Sequence, residues 1–230
     1  MKILFIGNSH TYMNDMPELT RQMIENATGK PCEVTMLAYS GRSIKWHYEE
    51  YFPIRFALLH GGYDYCVMQE QAHPLPDIED TFTFAPKIIG LCKKVNSTPV
   101  VFETWAEKRM PEHQAEMNRR YHKLASKQGA LLAPIGEVWA AVLSELKDQP
   151  DVDLYFRDGE HASYVGDYLI AMVITRTITG KLPDEDFLKA FDFSVPEHFY
   201  PLKEDVNDEL TVIPKEVAQI IRKQVEIRSE

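Results

Sequence analysis

Cysteine is scarce in this chain: three residues in 230, Cys32, Cys66 and Cys92, with no CxxC spacing among them. An odd number without that spacing indicates neither a disulfide framework nor a zinc cluster. Their apolar neighbours point to buried thiols in a reducing compartment. Positive charge is also in deficit. Twenty-five Lys and Arg stand against 35 Asp and Glu, giving a net charge of −10, which argues against a nucleic-acid binder that works by neutralising phosphates. No run of about 18 apolar residues occurs, so no membrane-spanning helix is expected. No basic and apolar leader precedes the first apolar run, and a cytoplasmic protein is the expectation. Neither a G-x-S-x-G elbow, the mark of the α/β-hydrolase fold, nor an H-E-x-x-H metal motif is present. There is no internal repeat and no low-complexity segment. The remainder is ordinary globular composition, 44% hydrophobic and 26% charged, with enough chain for one sizeable core or two small domains.

The chain opens on its most informative stretch. Residues 3–6 are a short apolar run that reads as a buried strand, closed by Gly7-Asn8-Ser9. Gly7 and Asn8 suit a sharp turn. Further strands are predicted over 33–38, 63–69, 99–103 and 130–135. Helices are predicted over 16–28, 44–60 with a bend near Pro53, 80–95 with Pro86 near its start, 111–128, 137–147 and 163–179. Strand and helix patterns thus alternate five times over roughly 180 residues, which predicts an α/β protein with a five-stranded parallel sheet covered by helices on both faces. Residues 181–230, ending in an amphipathic helix over about 214–228, read as an extension packed on the same single domain (1–230).

In open α/β sheets, ligands bind at the carboxyl ends of the strands. Ser9 falls there, where its hydroxyl can serve as a nucleophile or simply cap the next helix. Asp158 and His161, three apart in one loop, can supply a general base and the carboxylate that orients it; taken alone, a helix cap beside a solvated imidazole is the commoner meaning of that spacing. Gly41 follows the second strand, and its N–H can point into the same cleft. Gln69-Glu70-Gln71 leaves the third strand, where a side-chain amide can donate to an oxyanion. Each signal is weak by itself. Their recurrence at one sheet edge, in chain order, is what carries the reading.

These residues together resemble the SGNH hydrolases, the GDSL-type esterases and lipases. Gly7-Asn8-Ser9 matches the family's first block, Gly41 its second-block glycine, and Asp158 with His161 its final D-x-x-H block. The third block departs, reading Gln69-Glu70-Gln71-Ala72 where glycine-x-asparagine-aspartate is usual, a form that resembles a divergent bacterial branch. The resemblance covers residues 3 to about 180. It implies a three-layer α/β/α, flavodoxin-like fold and a serine esterase. Ser9 would be the nucleophile, His161 the base and Asp158 its partner, with the oxyanion held by the N–H groups of Ser9 and Gly41 and the amide of Gln71. No metal or organic cofactor is implied. The substrate would be a small-molecule ester with a short, acetyl-like acyl group, carried on a carbohydrate or similar alcohol. Two other readings stay open: a non-catalytic binding module on the same fold, which the altered third block favours, and an acyltransferase. The sequence says nothing about oligomeric state.

The remaining polar and aromatic residues receive plainer readings. His10 is expected at the polar rim, and His73 in a surface loop. Ser43 and Ser163 lack the strand-to-turn setting of Ser9. Glu112, His113 and Glu116 read as a solvated helix face. Trp46, Tyr48, Tyr51 and Phe52 read as helix core packing rather than a sugar or lipid patch.

Overall fold

The computed structural model describes residues 1–73, 77–147, 151–187 and 213–228. Five parallel strands form one sheet in the order β2-β1-β3-β4-β5: β1 Lys2–Gly7, β2 Glu33–Ala38, β3 Tyr65–Gln69, β4 Thr98–Phe102 and β5 Leu131–Ala133. That order is flavodoxin-like, and its topological switch lies between β1 and β3. The polar residues that leave those two strands, from Asn8 and from Glu70 onward, therefore flank the crevice the topology opens.

The pleat explains why β1 is apolar throughout. Ile3 and Phe5 face one layer and Leu4 and Ile6 the other, and all four are buried. The first layer holds α2 (Met16–Thr28), α7 (Ile135–Leu146), α8 (Tyr164–Thr179) and α9 (Lys215–Arg228). The second holds α3 (Ile44–Glu50), α4 (Phe52–Gly61), α5 (Ile78–Lys94) and α6 (His113–Gln128). The α9 helix lays Val217, Ala218, Ile221 and Val225 into the same core as α7 and α8. Cys32, Cys66 and Cys92 are buried free thiols.

Three local details differ from expectation. The bend expected at Pro53 is a break at Tyr51, whose φ is 48°. Pro53 itself sits in the first turn of α4, where its missing N–H costs nothing. Pro86 lies inside α5 without ending it. Phe52 does not pack in the core, being 66% exposed, because the break at Tyr51 turns it outward at the start of α4.

Candidate active site

Ser9 is the first residue of a one-turn helix, α1 (Ser9–Tyr12). Asn8 caps it: the Asn8 side-chain oxygen accepts from the His10 N–H at 3.0 Å. The Asn8 Nδ2 donates to the Arg42 carbonyl at 3.1 Å, tying this turn to the loop that holds Gly41. The Gln69 Oε1 at the end of β3 accepts from the Asn8 N–H at 2.9 Å and from Thr11 Oγ1 at 3.0 Å. A Cβ on Gly7 would lie 2.2 Å from Thr11 Oγ1 and 2.6 Å from Gln69 Oε1. Gly7 is thus required for close approach, and its φ is not left-handed, so the turn itself does not demand glycine. The His47 Nε2 meets the Gly7 carbonyl at 2.7 Å from the other side.

His161 arrives on the loop before α8. Its Nε2 lies 2.8 Å from Ser9 Oγ, and its Nδ1 lies 2.7 Å from Asp158 Oδ2. The Asp158 Oδ1 accepts from the N–H groups of Glu160, at 2.8 Å, and His161, at 2.9 Å. Partial burial pushes the Asp158 carboxyl up, but these two N–H bonds and the imidazole outweigh it, and the group stays ionised below its ordinary range. The loop is pinned from outside. Trp105 Nε1 donates to the Glu160 carbonyl at 2.9 Å, and Lys108 N–H to the Gly159 carbonyl at 2.9 Å. The Asn14 Nδ2 joins it to the turn after α1, donating to the Ala162 carbonyl at 3.1 Å and to Asp167 Oδ2 at 2.6 Å. Asp167 is fully buried in α8, and burial holds its carboxyl well above the usual range.

The oxyanion candidates are placed unequally. Gly41 stands in the turn after β2 with φ +66°, a left-handed conformation that suits glycine. Among the described residues, nothing accepts from the N–H of Ser9 or of Gly41. The Gln71 amide is turned toward the His73 carbonyl, at 3.4 Å. The neighbour that holds the nucleophile turn is Gln69, placed by sequence reasoning at the end of the third strand but given no role of its own.

Sequence reasoning also passed over Glu70. Its buried carboxylate accepts from the Ile44 N–H at 2.9 Å, the Gln71 N–H at 2.8 Å and Thr81 Oγ1 at 3.1 Å, linking the exit of β3 to α3 and α5. Burial still pushes its pKa up against those three donors. An acid placed directly at a strand exit is the signal that was available. His10 is not at the rim. It is 6% exposed and stacks on His161, with ring centroids 4.5 Å apart and planes 15° from parallel. His73 meets His10 edge-on at 5.0 Å, and burial pushes its pKa down to about 4.

Among the described residues, one group of three has potential metal-ligand atoms within 4.8 Å of one another: Glu103, His122 and Glu137. Glu103 has a different task there. Its carboxyl oxygens accept from the Glu137 N–H at 3.2 Å and from that of Gly136, satisfying the start of α7. Glu116, on the polar helix considered above, pairs with Arg119 and Arg120.

No family model matches the sequence, and no curated protein matches it. Solved structures do. A protein described as an SGNH hydrolase from Slackia heliotrinireducens is 24% identical with a TM-score of 0.62, covering 77% of this chain and 98% of that one. The lipase/acylhydrolase from Enterococcus faecalis is 15% identical with a TM-score of 0.59, covering 80% of this chain and 98% of that one. The acetyl xylan esterase AlAXEase is 18% identical with a TM-score of 0.60, covering 76% and 98%. This chain has the fold of the SGNH hydrolases.

Proposed function

We propose that this chain is a serine ester hydrolase acting through Ser9, His161 and Asp158. The observation that carries the reading is the hydrogen-bonded series from Ser9 Oγ through His161 to Asp158, at 2.8 Å and 2.7 Å. The start of α1 and the loop before α8 meet there, joining residues 152 positions apart. His161 takes the Ser9 proton on Nε2 as Oγ attacks an ester carbonyl. Asp158 keeps Nδ1 protonated and balances the imidazolium. His161 then gives its proton to the departing alcohol, leaving an acyl-Ser9. Water, deprotonated by the same imidazole, releases the acid and frees Ser9. The N–H groups of Ser9 and Gly41 are the oxyanion donors in this reading, and each such donor is worth about 10²–10³ in turnover. Gln71 joins them on rotating away from the His73 carbonyl, a contact long enough at 3.4 Å to release.

The substrate is read as a short, acetyl-like ester of a carbohydrate. Support comes from the acetyl xylan esterase among the similar structures and from an aromatic rim beside Gly41. There Tyr39 is 45% exposed, packs against Trp46 at 5.3 Å, and has Arg42 close by over the Trp46 ring. No cofactor enters these steps. The chain is read as one cytoplasmic domain, with residues 181–230 as its extension. In support, α9 shares the core of α7 and α8, and no described helix is long and apolar enough to cross a membrane. The net charge of −10 supports a partner other than nucleic acid.

The test is hydrolysis of p-nitrophenyl acetate, with fluorophosphonate labelling followed by peptide mapping. Turnover by the wild type, its loss in Ser9→Ala and label on Ser9 are the expected results. Equal rates in both proteins would remove Ser9 as nucleophile. A binding module is the second reading, favoured by the engagement of the Gln71 amide with His73; it predicts no label at Ser9. Product analysis with an added acceptor alcohol separates an acyltransferase.

A further inference from the structure

We infer that His10 is a positioning residue, an aromatic platform that fixes the face of the His161 ring. The inference rests on the ester-hydrolase reading of Ser9, His161 and Asp158.

Two hydrogen bonds hold the His161 ring at its edges, through Nε2 and Nδ1. Neither resists a tilt of the ring out of its plane. The ring rides on a loop at the surface, with its side chain 24% exposed. What backs its face is His10, parallel to within 15° at a centroid separation of 4.5 Å. His10 in turn is held edge-on by Trp105, at 5.2 Å and 80°, and by His73, at 5.0 Å and 71°. Trp105 stacks on Trp139 of α7, at 4.4 Å and 8°, and both indoles are buried. A continuous column of rings therefore runs from the core, through the loop after β4, to the imidazole beside Ser9. Rigid aromatic side chains are suited to transmit that order.

Two further observations separate His10 from ordinary core filling. First, its Nδ1 is buried without a hydrogen-bond partner among the described residues, which disfavours folding. A leucine or phenylalanine at this position would bring no such penalty. A local rule broken beside a reacting centre points to function. Second, burial, then His161 and His73, hold the His10 pKa well below the ordinary value. A neutral ring presents its π face to the imidazolium that forms during turnover, and that contact is attractive. A protonated His10 would repel it. The groups facing His10 are His161 from the loop before α8, His73 from the loop after β3, and Trp105.

The experiment compares His10→Ala, His10→Leu, His10→Phe and His10→Gln in the full chain. Kinetics with p-nitrophenyl acetate are read beside the low-field NMR signal of the His161 Nδ1 proton that bridges to Asp158. Alanine and leucine are expected to lower kcat about 10- to 100-fold, the scale of an ångström-level misplacement, with KM within about twofold. Phenylalanine, which keeps a ring face, is expected to recover most of that loss and to keep the low-field proton. Glutamine, which keeps polar atoms but no ring, is not. Leucine fills the site should alanine fail to fold. Rescue by glutamine and not by phenylalanine would overturn the inference in favour of a role for the His10 nitrogens. So would a wild-type kcat in the leucine variant. If the wild-type protein neither turns over nor labels at Ser9, the ester-hydrolase reading falls. The NMR signal then decides for His10: loss with leucine and retention with phenylalanine support the platform, and retention in all four variants overturns it.

Discussion

The side-chain oxygen of Gln69 sits 2.9 Å from the backbone nitrogen of Asn8, so the last residue of β3 holds the turn that presents Ser9. The same oxygen takes the Thr11 hydroxyl, and the Gln69 amide nitrogen donates to the Glu70 carbonyl. One buried amide thus joins the two strands that flank the topological switch.

Replacing Gln69 by leucine leaves the Asn8 N–H and the Thr11 hydroxyl without their acceptor. Buried groups orphaned this way cost about 1–3 kcal/mol each, less where water reaches them. The Gln69→Leu protein should lose about 2–4 kcal/mol in urea unfolding and label more slowly at Ser9. An unchanged unfolding midpoint would show that the turn holds itself.

At Gly7 the obstacle is space. A methyl group there meets Thr11 Oγ1 at 2.2 Å and Gln69 Oε1 at 2.6 Å. Overpacking of this kind typically costs about 1–3 kcal/mol, so Gly7→Ala should unfold earlier and lose activity together. Gly41→Ala is the contrast. Its added methyl meets nothing within 4 Å, and only the φ of +66° resists it, at a strain of about 1–2 kcal/mol. Thermal denaturation of both variants, set against their turnover, ranks the two causes.

Asp158→Asn tests the orienting role of the carboxylate. An asparagine still accepts from the N–H groups of Glu160 and His161, so the loop keeps its shape. It also offers an N–H to Nδ1, which selects the wrong imidazole tautomer. Turnover should fall about 10²–10⁴-fold, while stability moves by less than about 1 kcal/mol. A variant with near wild-type kcat would assign the orientation of His161 to other contacts.

Glu103 makes stability depend on pH. Burial, with the Glu137 carboxylate behind it, pushes its carboxyl from 4.5 up to about 8. Between those values the folded protein keeps a proton that the unfolded chain has released. The Glu103 contribution therefore weakens as pH rises from about 4.5 through about 8. Glu103→Gln removes that linkage while retaining an acceptor for the start of α7. Urea midpoints measured across this window should decline less in the variant than in the wild type. Parallel declines would locate the responsible proton on another group.

What was legible in the sequence was short-range. Gly7-Asn8-Ser9 and Asp158-x-x-His161 are each a few residues long and each sits where a strand or loop meets a helix, so a local pattern shows them as candidates, and their recurrence at one sheet edge joins them. At the exit of β3 sequence reasoning assigned Gln71 an oxyanion role and Gln69 none, and the structure shows Gln69, two residues earlier, holding the nucleophile turn. Both are glutamines at a strand end, and only the neighbouring strand shows that Gln69 reaches that turn. From sequence His10 reads as a polar rim residue beside Ser9 in the turn that follows β1. Its burial comes from Trp105, His73 and His161, which lie on three other loops. Phe52 was read as core because aromatic residues at helical spacing usually are, but the backbone turn at Tyr51 sends it outward.

The sequence alone determined the alternation of strand and helix, the burial of β1 on both faces and the polar character of the strand exits. The helices are written in a period of 3.6 residues, the doubly buried strand in an unbroken apolar run, and the exits in the polar residues that end it, all of which a short window carries. Tertiary structure decided that β1 lies between β2 and β3, that Ser9 and His161 meet at 2.8 Å, and that a column of rings stands behind the imidazole. Those relations join residues up to 152 positions apart. They arise from packing whole layers against one another, which no local pattern encodes.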